Sequence, residues 1–160
     1  MPVSETDATL VRTFYGALAR RDLDAMERCY HPDVTFGDPI FQELEGRPRI
    51  MGMWRLLMER GAGLDVSLRR VTAGPHEVTA DWIAGYTFTA TGRKVVNQID
   101  SLFRFEGGLI VRQHDDFDFR HWSKMALGRP MGLVVGWTPA LRARIRSQAM
   151  EGLRESMAPA

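Results

Sequence analysis

The feature that most constrains the fold is a pair of alternating strands joined by a two-glycine turn. Residues 103–115 read as a strand, the turn Gly107-Gly108 and a second strand. Further stretches of the same kind precede it, and each break between them has hairpin length. The predicted strands cover residues 65–73, 77–90, 94–105 and 109–119. Four strands linked in this way predict an antiparallel meander whose aromatic-rich face turns toward helices.

Helical patterns lie on both sides of these strands. Asp7 is predicted to cap a first helix that buries Phe14, and a third helix buries Trp54. After the last strand, the spacing of apolar residues predicts a short helix and then a long amphipathic one. The other face of the long helix carries Arg142, Arg144 and Arg146, and we expect this face to be solvated. The expected organisation is one domain over residues 1–119. A helical extension over residues 120–160 would pack on the same domain or on a dimer partner.

Composition and charge exclude several classes of function. The chain has 21 Lys and Arg against 20 Asp and Glu, and a net charge of +1 provides no global field that selects nucleic acid. The single cysteine, Cys29, rules out an internal disulfide and fits a reducing compartment. The sequence shows neither a signal peptide nor a membrane span, and its four histidines lack metal-binding spacing. We expect a cytoplasmic protein without metal or cofactor.

Asp115 is the candidate for proton transfer. Period-2 alternation places Gln113, Asp115 and Phe117 on the inward face of the last strand. A carboxylate on an apolar wall is costly, and desolvation moves its pKa toward neutral, which suits a general base. The alternative interpretation is a structural carboxylate, held by Asn97, Ser101 or backbone N–H groups to order the strand.

Further candidates for ligand contact lie on the same inward faces. Asp38 precedes Pro39 in a turn, where it would either line the site as a second carboxylate or cap its own backbone. The predicted substrate-binding residues are Tyr86, Asn97, Gln113, Ser101, Trp54, Trp82, Phe14, Phe88 and Phe117. The aromatic members are also candidates for the core, because core and cavity lining merge in such a fold.

The chain resembles the fold shared by nuclear transport factor two, ketosteroid isomerase and SnoaL-type polyketide cyclases. The resemblance covers about residues 7–119 and is carried by residues 30–39 (YHPDVTFGDP), the helix start Glu45-Gly46-Arg47 and the hairpin 103–115. It implies an α+β cone, in which a curved antiparallel sheet wraps around the N-terminal helices as in cystatin-like barrels. The helical C-terminal tail is an addition to that fold. A homodimer through the outer sheet face is also implied.

The likeness to ketosteroid isomerase does not extend to its catalytic residues. Asp38 falls where that family keeps its general base. Phe14 and Trp54 stand where the family has the tyrosine of its oxyanion hole and a supporting tyrosine, and the oxyanion-hole aspartic acid falls at about Ser101. Because a phenyl ring donates no hydrogen bond to an enolate oxygen, steroid isomerisation is not expected.

The match to SnoaL-type proteins is better at the last hairpin. Those proteins carry a similar Phe-Arg-Phe turn, then a histidine and, two residues on, the aspartate taken as the base. Here the two inward positions are Gln113 and Asp115, with His114 on the opposite face. Glutamine carries no proton at neutral pH, so a two-residue proton relay is not expected. The limonene epoxide hydrolase type ranks lower, because it needs an arginine between two aspartates and none is apparent between Asp38 and Asp115.

The sequence leaves three classes of function open. The leading hypothesis is a cofactor-independent isomerase or cyclase-like enzyme with Asp115 as general base, acting on a small apolar molecule that bears one or two oxygens. The second is a non-catalytic protein that binds such a molecule in the same cavity. The third is a protein-interaction dimer, whose cavity would be plugged by Trp54, Trp82 or tail residues.

Overall fold

The computed structural model describes residues 3–128 and 139–159. The elements are α1 (Glu5–Arg20), α2 (Leu23–Cys29), β1 (Tyr30–Gly37), β2 (Leu44–Glu45), α3 (Arg47–Arg60), β3 (Gly61–Ala73), β4 (Val78–Phe88), β5 (Arg93–Glu106), β6 (Leu109–Asp116), α4 (Phe119–Leu127) and α5 (Pro139–Met157). The described helices and strands form an α+β fold with a helical C-terminal tail, which confirms the predicted class. The loop and helix cap predicted within residues 129–138 lie outside the described residues.

The six described strands form one curved, unclosed sheet in the order β2-β1-β6-β5-β4-β3. Strands β3 to β6 pair antiparallel in sequence order, as their hairpin turns require. The prediction of a wholly antiparallel sheet is corrected at one pair, since β1 runs parallel to β6. No turn joins these two strands, so their relative direction is decided by how the chain returns through the helices and not by local geometry.

The strands present two chemically different faces, as their alternation predicted. In β5 the residues with inward side chains are buried and those between them are exposed or half-buried. The inward set is Val95, Asn97, Ile99, Ser101 and Phe103. The outer face exposes charged side chains such as Asp100 and Arg104. A homodimer through this outer face stays a prediction.

Helix α1 covers part of the inner sheet face, and its N-cap lies three residues before the cap predicted at Asp7. Ser4 is the N-cap: its Oγ accepts a hydrogen bond from the Asp7 backbone N–H at 3.2 Å. The Asp7 carboxylate in turn accepts one from the Ser4 backbone N–H at 2.9 Å. This reciprocal capping box satisfies two N–H groups that the helix leaves free. The helix then buries Val11, Phe14 and Leu18 toward the sheet.

The C-terminal helices fold back onto the same chain. Strand β6 ends at Asp116, earlier than predicted, because Asp118 caps α4 by accepting a hydrogen bond from the His121 backbone N–H at 3.0 Å. Helix α5 packs against α3 at Gly52, where a Cβ atom would lie 2.8 Å from the Met157 sulfur. Glycine therefore allows the close approach of the two helices. No helix in the described part of the chain is long and apolar enough to cross a membrane.

Candidate functional site

A cavity of about 520 Å³ lies between the inner face of the sheet, helix α3 and the tail helices. Most of its wall is apolar. Of the residues that the sequence singled out, those lining it are Asp115, Asp38, Tyr86, Asn97, Trp54, Trp82, Phe88 and Phe117. The tail contributes Trp122, Leu127, Leu141, Ile145 and Ala149, which the sequence did not place at the site. Its volume lies in the range of sites that hold a drug-sized molecule.

Three predicted substrate-binding residues lie behind this wall instead of in it. Phe14 is fully buried, and its ring centroid lies 5.2–6.2 Å from those of four other aromatic residues. Those neighbours are Tyr15, Tyr30, Trp54 and Phe103. Ser101 and Gln113 are buried against the back of Asp115. The sequence pattern assigned all three side chains to the protein interior correctly. Whether an interior side chain lines the cavity or lies behind its wall is decided by how the helices pack on the sheet.

The Asp115 carboxylate is held by one of its two oxygens. Ser101 Oγ donates a hydrogen bond to Asp115 Oδ1 at 2.6 Å, and Gln113 Nε2 donates to the same oxygen at 3.0 Å. Asn97, which was expected as a possible holder, makes no hydrogen bond to it. Within the described residues Oδ2 receives no hydrogen bond. Because Asp115 lines the cavity, the unengaged oxygen is the one available to a ligand.

A second layer of donors fixes the direction of the serine bond. The Ser101 hydroxyl oxygen accepts from Tyr15 Oη at 2.8 Å and from Trp82 Nε1 at 2.9 Å. An ionised carboxylate and an indole N–H each have a single role, acceptor and donor respectively. Ser101 therefore gives its only proton to Asp115, and Tyr15 gives its own to Ser101.

The same reasoning fixes the orientation of the glutamine. Tyr30 Oη accepts from Trp54 Nε1 at 3.0 Å, so it donates its proton to Gln113 Oε1 at 2.5 Å. The amide NH₂ of Gln113 then faces Asp115. Neither Tyr15 nor Tyr30 was recognised from the sequence as part of the site. The available signal was a tyrosine hydroxyl in a buried segment, which requires a buried partner.

Burial dominates the titration of Asp115. It raises the pKa of this carboxyl group to about 6, although the hydrogen bonds from Ser101 and Gln113 lower it. The two donors thus moderate the cost of placing a charge on an apolar wall. Near neutral pH Asp115 is ionised but close enough to its pKa to accept and return a proton.

Asp38 combines the two roles that the sequence left open. Its Oδ1 accepts hydrogen bonds from the backbone N–H groups of Ile40 at 2.7 Å and Phe41 at 2.6 Å, which closes the turn after β1. It also lines the cavity. The pKa of Asp38 is raised to about 7, because burial and the charge of Asp115 together outweigh the lowering by these backbone bonds and by the charge of Arg146.

An arginine of the tail reaches the turn that carries Asp38, but it does not line the cavity between Asp38 and Asp115. Arg146 belongs to α5, and its Nε donates a hydrogen bond to the Pro39 carbonyl oxygen at 2.9 Å. The arginine-rich face of this helix was expected to be solvated. Arg142 departs from that expectation too, since its guanidinium lies 5.5 Å from the ring centroid of Phe119. The tail is thereby tied to the turn that carries Asp38.

Stability should fall as the pH rises from about 5 to about 8, and Asp38→Asn should reduce that fall. An unfolded aspartate has a pKa of about 3.9, whereas the pKa of Asp38 in the fold is about 7. Between these values the folded protein binds more protons than the unfolded chain, so raising the pH favours unfolding. Asparagine keeps the oxygen that accepts from Ile40 and Phe41 but does not titrate. Urea midpoints at the two pH values measure the effect.

The control for this prediction is Asp100→Asn, which removes an exposed carboxylate from the outer sheet face. Its pH dependence should match that of the unchanged protein. Equal slopes for Asp38→Asn and the unchanged protein would mean that the carboxyl group of Asp38 titrates normally in the fold.

Tyr86 and Asn97 supply neutral hydrogen-bond donors to the cavity. Tyr86 Oη accepts from Trp122 Nε1 at 2.8 Å, which leaves its own proton to donate. Burial raises the pKa of Tyr86, so this proton is retained at neutral pH. The Asn97 side chain is buried and lines the cavity, and it makes no side-chain hydrogen bond with any residue in the described ranges. Its amide is therefore available to a polar atom of a ligand.

The described residues contain no group of three or more His, Cys, Asp or Glu side chains arranged to hold a metal ion. Around Asp115 and Asp38 the site thus offers carboxyl, hydroxyl, amide and indole groups on apolar walls. Such groups can bind an oxygen of a ligand and exchange a proton with it.

Solved structures with the same fold include an enzyme and proteins of unknown function. An LEH-like epoxide hydrolase from M. tuberculosis is 22% identical, with a TM-score of 0.66 over 82% of this chain and 95% of its own. A protein with a ketosteroid isomerase-like fold from Catenulispora acidiphila, solved with trimethylamine, is 18% identical, with a TM-score of 0.67 over 81% and 97%. An NTF2-like protein of unknown function from Burkholderia pseudomallei is 22% identical, with a TM-score of 0.65 over 72% and 92%. At these identities the likeness concerns the fold alone.

The comparison with protein families is more specific. No curated protein matches the chain. The model of the SnoaL-like domain matches residues 11–113, which is more than half of the chain. This range runs from α1 to Gln113 in β6 and stops just before Asp115 and the tail helices. The chain belongs to the SnoaL-like family.

Proposed function

We propose that this protein is a cofactor-independent enzyme that moves a proton at a carbon next to a carbonyl group, in a small apolar substrate. The single observation that carries this proposal is the state of Asp115. Its carboxylate lies on the wall of an apolar cavity, with one oxygen held by Ser101 and Gln113 and the other without a partner among the described residues. Isomerisation and cyclisation both begin with such a proton transfer.

In the proposed step, Asp115 Oδ2 takes the proton and the electron pair of the broken C–H bond moves into the carbonyl group, giving an enolate. Oδ1 already receives two hydrogen bonds whose direction is fixed, so the proton is carried on Oδ2. In a β,γ-unsaturated substrate the enolate is conjugated with the double bond, so return of the proton to the γ-carbon moves the double bond next to the carbonyl group and gives an isomer. Attack of the enolate carbon on a second carbonyl of the same molecule forms a ring, and the proton then goes to the new alkoxide.

Donors for the enolate oxygen come from the same cavity. Asn97 offers an amide without a hydrogen-bond partner among the described residues, and Tyr86 offers a hydroxyl proton. Asp38, with a pKa of about 7 against about 6 for Asp115, is the carboxyl group that keeps its proton longer as the pH rises. Donors placed where negative charge develops stabilise the transition state more than the ground state.

The second candidate function is ligand binding without catalysis, and the hydrogen-bond network favours it in one respect. The side chains of Ser101 and Gln113 both donate to Asp115 Oδ1, so this oxygen has its hydrogen bonds without any ligand. A charge held in this way could serve only to order β5 and β6. The protein-interaction hypothesis required a plugged cavity, which the volume of about 520 Å³ does not match.

Deuterium exchange separates the two candidates. In deuterated buffer, the enzyme should accelerate the exchange of C–H protons beside the carbonyl of apolar ketones, with β-tetralone as the first of a panel. NMR follows the loss of each proton signal. The expected result is a rate well above that of buffer alone and of the denatured protein.

The ligand-binding candidate predicts a different outcome. Panel members would bind, as shown by chemical-shift changes in the protein, but their exchange rates would equal those in buffer. Mass spectrometry of any compound that co-purifies with the protein would then identify the natural guest.

A further inference from the structure

Two arginines line the cavity. Arg60 ends α3 and Arg144 lies in α5. Asp115 pairs with Ser101 of β5, which pairs with Ala80 of β4. Gly61, the residue after Arg60, pairs with Phe88 of the same strand β4. Eight residues of strand at about 3.3 Å each separate these two positions in β4 by roughly 26 Å. The cavity therefore has Asp115 at one end and Arg60 toward the other, which we call the guanidinium end.

The described residues do not neutralise the charges at the guanidinium end. The side chains of Arg60 and Arg144 are exposed at the rim and make no hydrogen bond or ion pair within these residues. Other arginines near the site are engaged, since Arg146 donates to the Pro39 carbonyl oxygen and Arg93 to the Met125 carbonyl oxygen. Gln148 adds a neutral amide to the same part of the lining.

A glycine brings the Arg60 guanidinium to the face of α5 that also carries Arg144, about 12 Å away along the helix axis. Arg144, Gln148 and Gly152 follow one another at intervals of four residues in α5, so they lie along one face. A Cβ atom at Gly152 would lie 2.3 Å from Arg60 Nη2. The missing side chain thus makes room for Arg60 on the face that carries Arg144 and Gln148.

We propose that the substrate is an elongated carboxylic acid whose carboxylate is bound by Arg60 and Arg144. Guanidinium groups match a carboxylate with paired N–H donors, and Gln148 supplies a further N–H. The apolar body of the substrate fills the cavity, and its reacting carbonyl group lies toward Asp115. The position of the reacting carbonyl group near Asp115 rests on the proposed function. The recognition of the acid group is tested independently of catalysis.

The test compares dodecanoate with dodecanol, which share one chain and differ in the charged group. Isothermal titration calorimetry should show that the protein binds the acid at least about tenfold more tightly than the alcohol. Arg60→Gln and Arg144→Gln should each remove most of this preference while leaving the affinity for dodecanol unchanged. The preference should also decrease with rising salt, because the arginines are exposed.

Two further variants sharpen the result. Arg154→Gln removes an exposed arginine of α5 that does not line the cavity, and it should keep the full preference. Gly152→Ala adds the Cβ atom that displaces the Arg60 guanidinium, and it should weaken dodecanoate alone. Equal affinities for acid and alcohol, binding of neither, or an equal loss in Arg154→Gln would each overturn the inference.

The outcomes also separate this inference from the proposed function. A protein that prefers dodecanoate but does not accelerate exchange on any ketone keeps the acid site and loses the catalytic role of Asp115. A protein that exchanges protons of neutral ketones but shows no preference for the acid keeps the catalytic role and loses the arginine site.

Discussion

Asp115→Asn should lower the proton-exchange rate by roughly 100- to 10,000-fold, the range that general-base catalysis contributes. Asparagine has nearly the same shape and can still accept hydrogen bonds from Ser101 and Gln113 through its carbonyl oxygen. It cannot take a proton from carbon. The affinity for the ketone should therefore stay within a few-fold of the original value. Single-turnover exchange measured by NMR, together with calorimetric binding, separates the two quantities.

The neighbouring residue provides the matched control. Asp116 follows Asp115 in β6 but is exposed on the outer sheet face. Asp116→Asn removes the same charge from the same strand and should leave exchange unchanged. If Asp115→Asn instead altered affinity and left the exchange rate intact, Asp115 would be a binding group and the protein a ligand carrier.

Phe14→Ala should reduce the free energy of unfolding by about 3–5 kcal/mol, the usual cost of removing a buried phenyl ring. The ring is fully buried and packs among four aromatic rings of α1, β1, α3 and β5. Because Phe14 does not line the cavity, its removal leaves a void that no ligand occupies. Denaturation by urea measures the change, and a lower melting temperature should accompany it.

Two controls distinguish packing from a general effect of mutation. Phe14→Leu keeps most of the buried apolar volume and should cost much less than Phe14→Ala. Val96→Ala shortens a side chain that is 57% exposed, so its effect on stability should be small. A loss in Phe14→Ala no larger than that in Val96→Ala would show that the aromatic cluster around Phe14 does not hold the fold together.

The strand faces could be predicted because they depend only on local geometry. Successive side chains of a strand point to opposite faces, so Asn97, Ser101 and Asp115 could be assigned to the inner side from alternation alone. The burial of all three bears this out. The glycine turns likewise required antiparallel neighbours from β3 to β6.

Ser101 was among the predicted holders of Asp115, but the tyrosines behind Ser101 and Gln113 could not be predicted, because they come from distant parts of the chain. Tyr15 reaches Ser101 across 86 residues, and Tyr30 reaches Gln113 across 83. No local pattern indicates which hydroxyl will meet which amide when two helices dock on a sheet. The parallel pairing of β1 with β6 and the place of the tail at the cavity are non-local in the same sense.

The sequence by itself thus determined the α+β class, the strand order from β3 to β6 and the inward direction of Asp115. Only the tertiary structure decided that Tyr15 and Tyr30 support Ser101 and Gln113 behind the carboxylate, that Phe14 is core, and that α5 brings Arg144 to the cavity. The physical reason is that alternation and turns act between neighbours in the chain. The depth of a side chain and its hydrogen-bond partner are set by the packing of elements far apart in sequence.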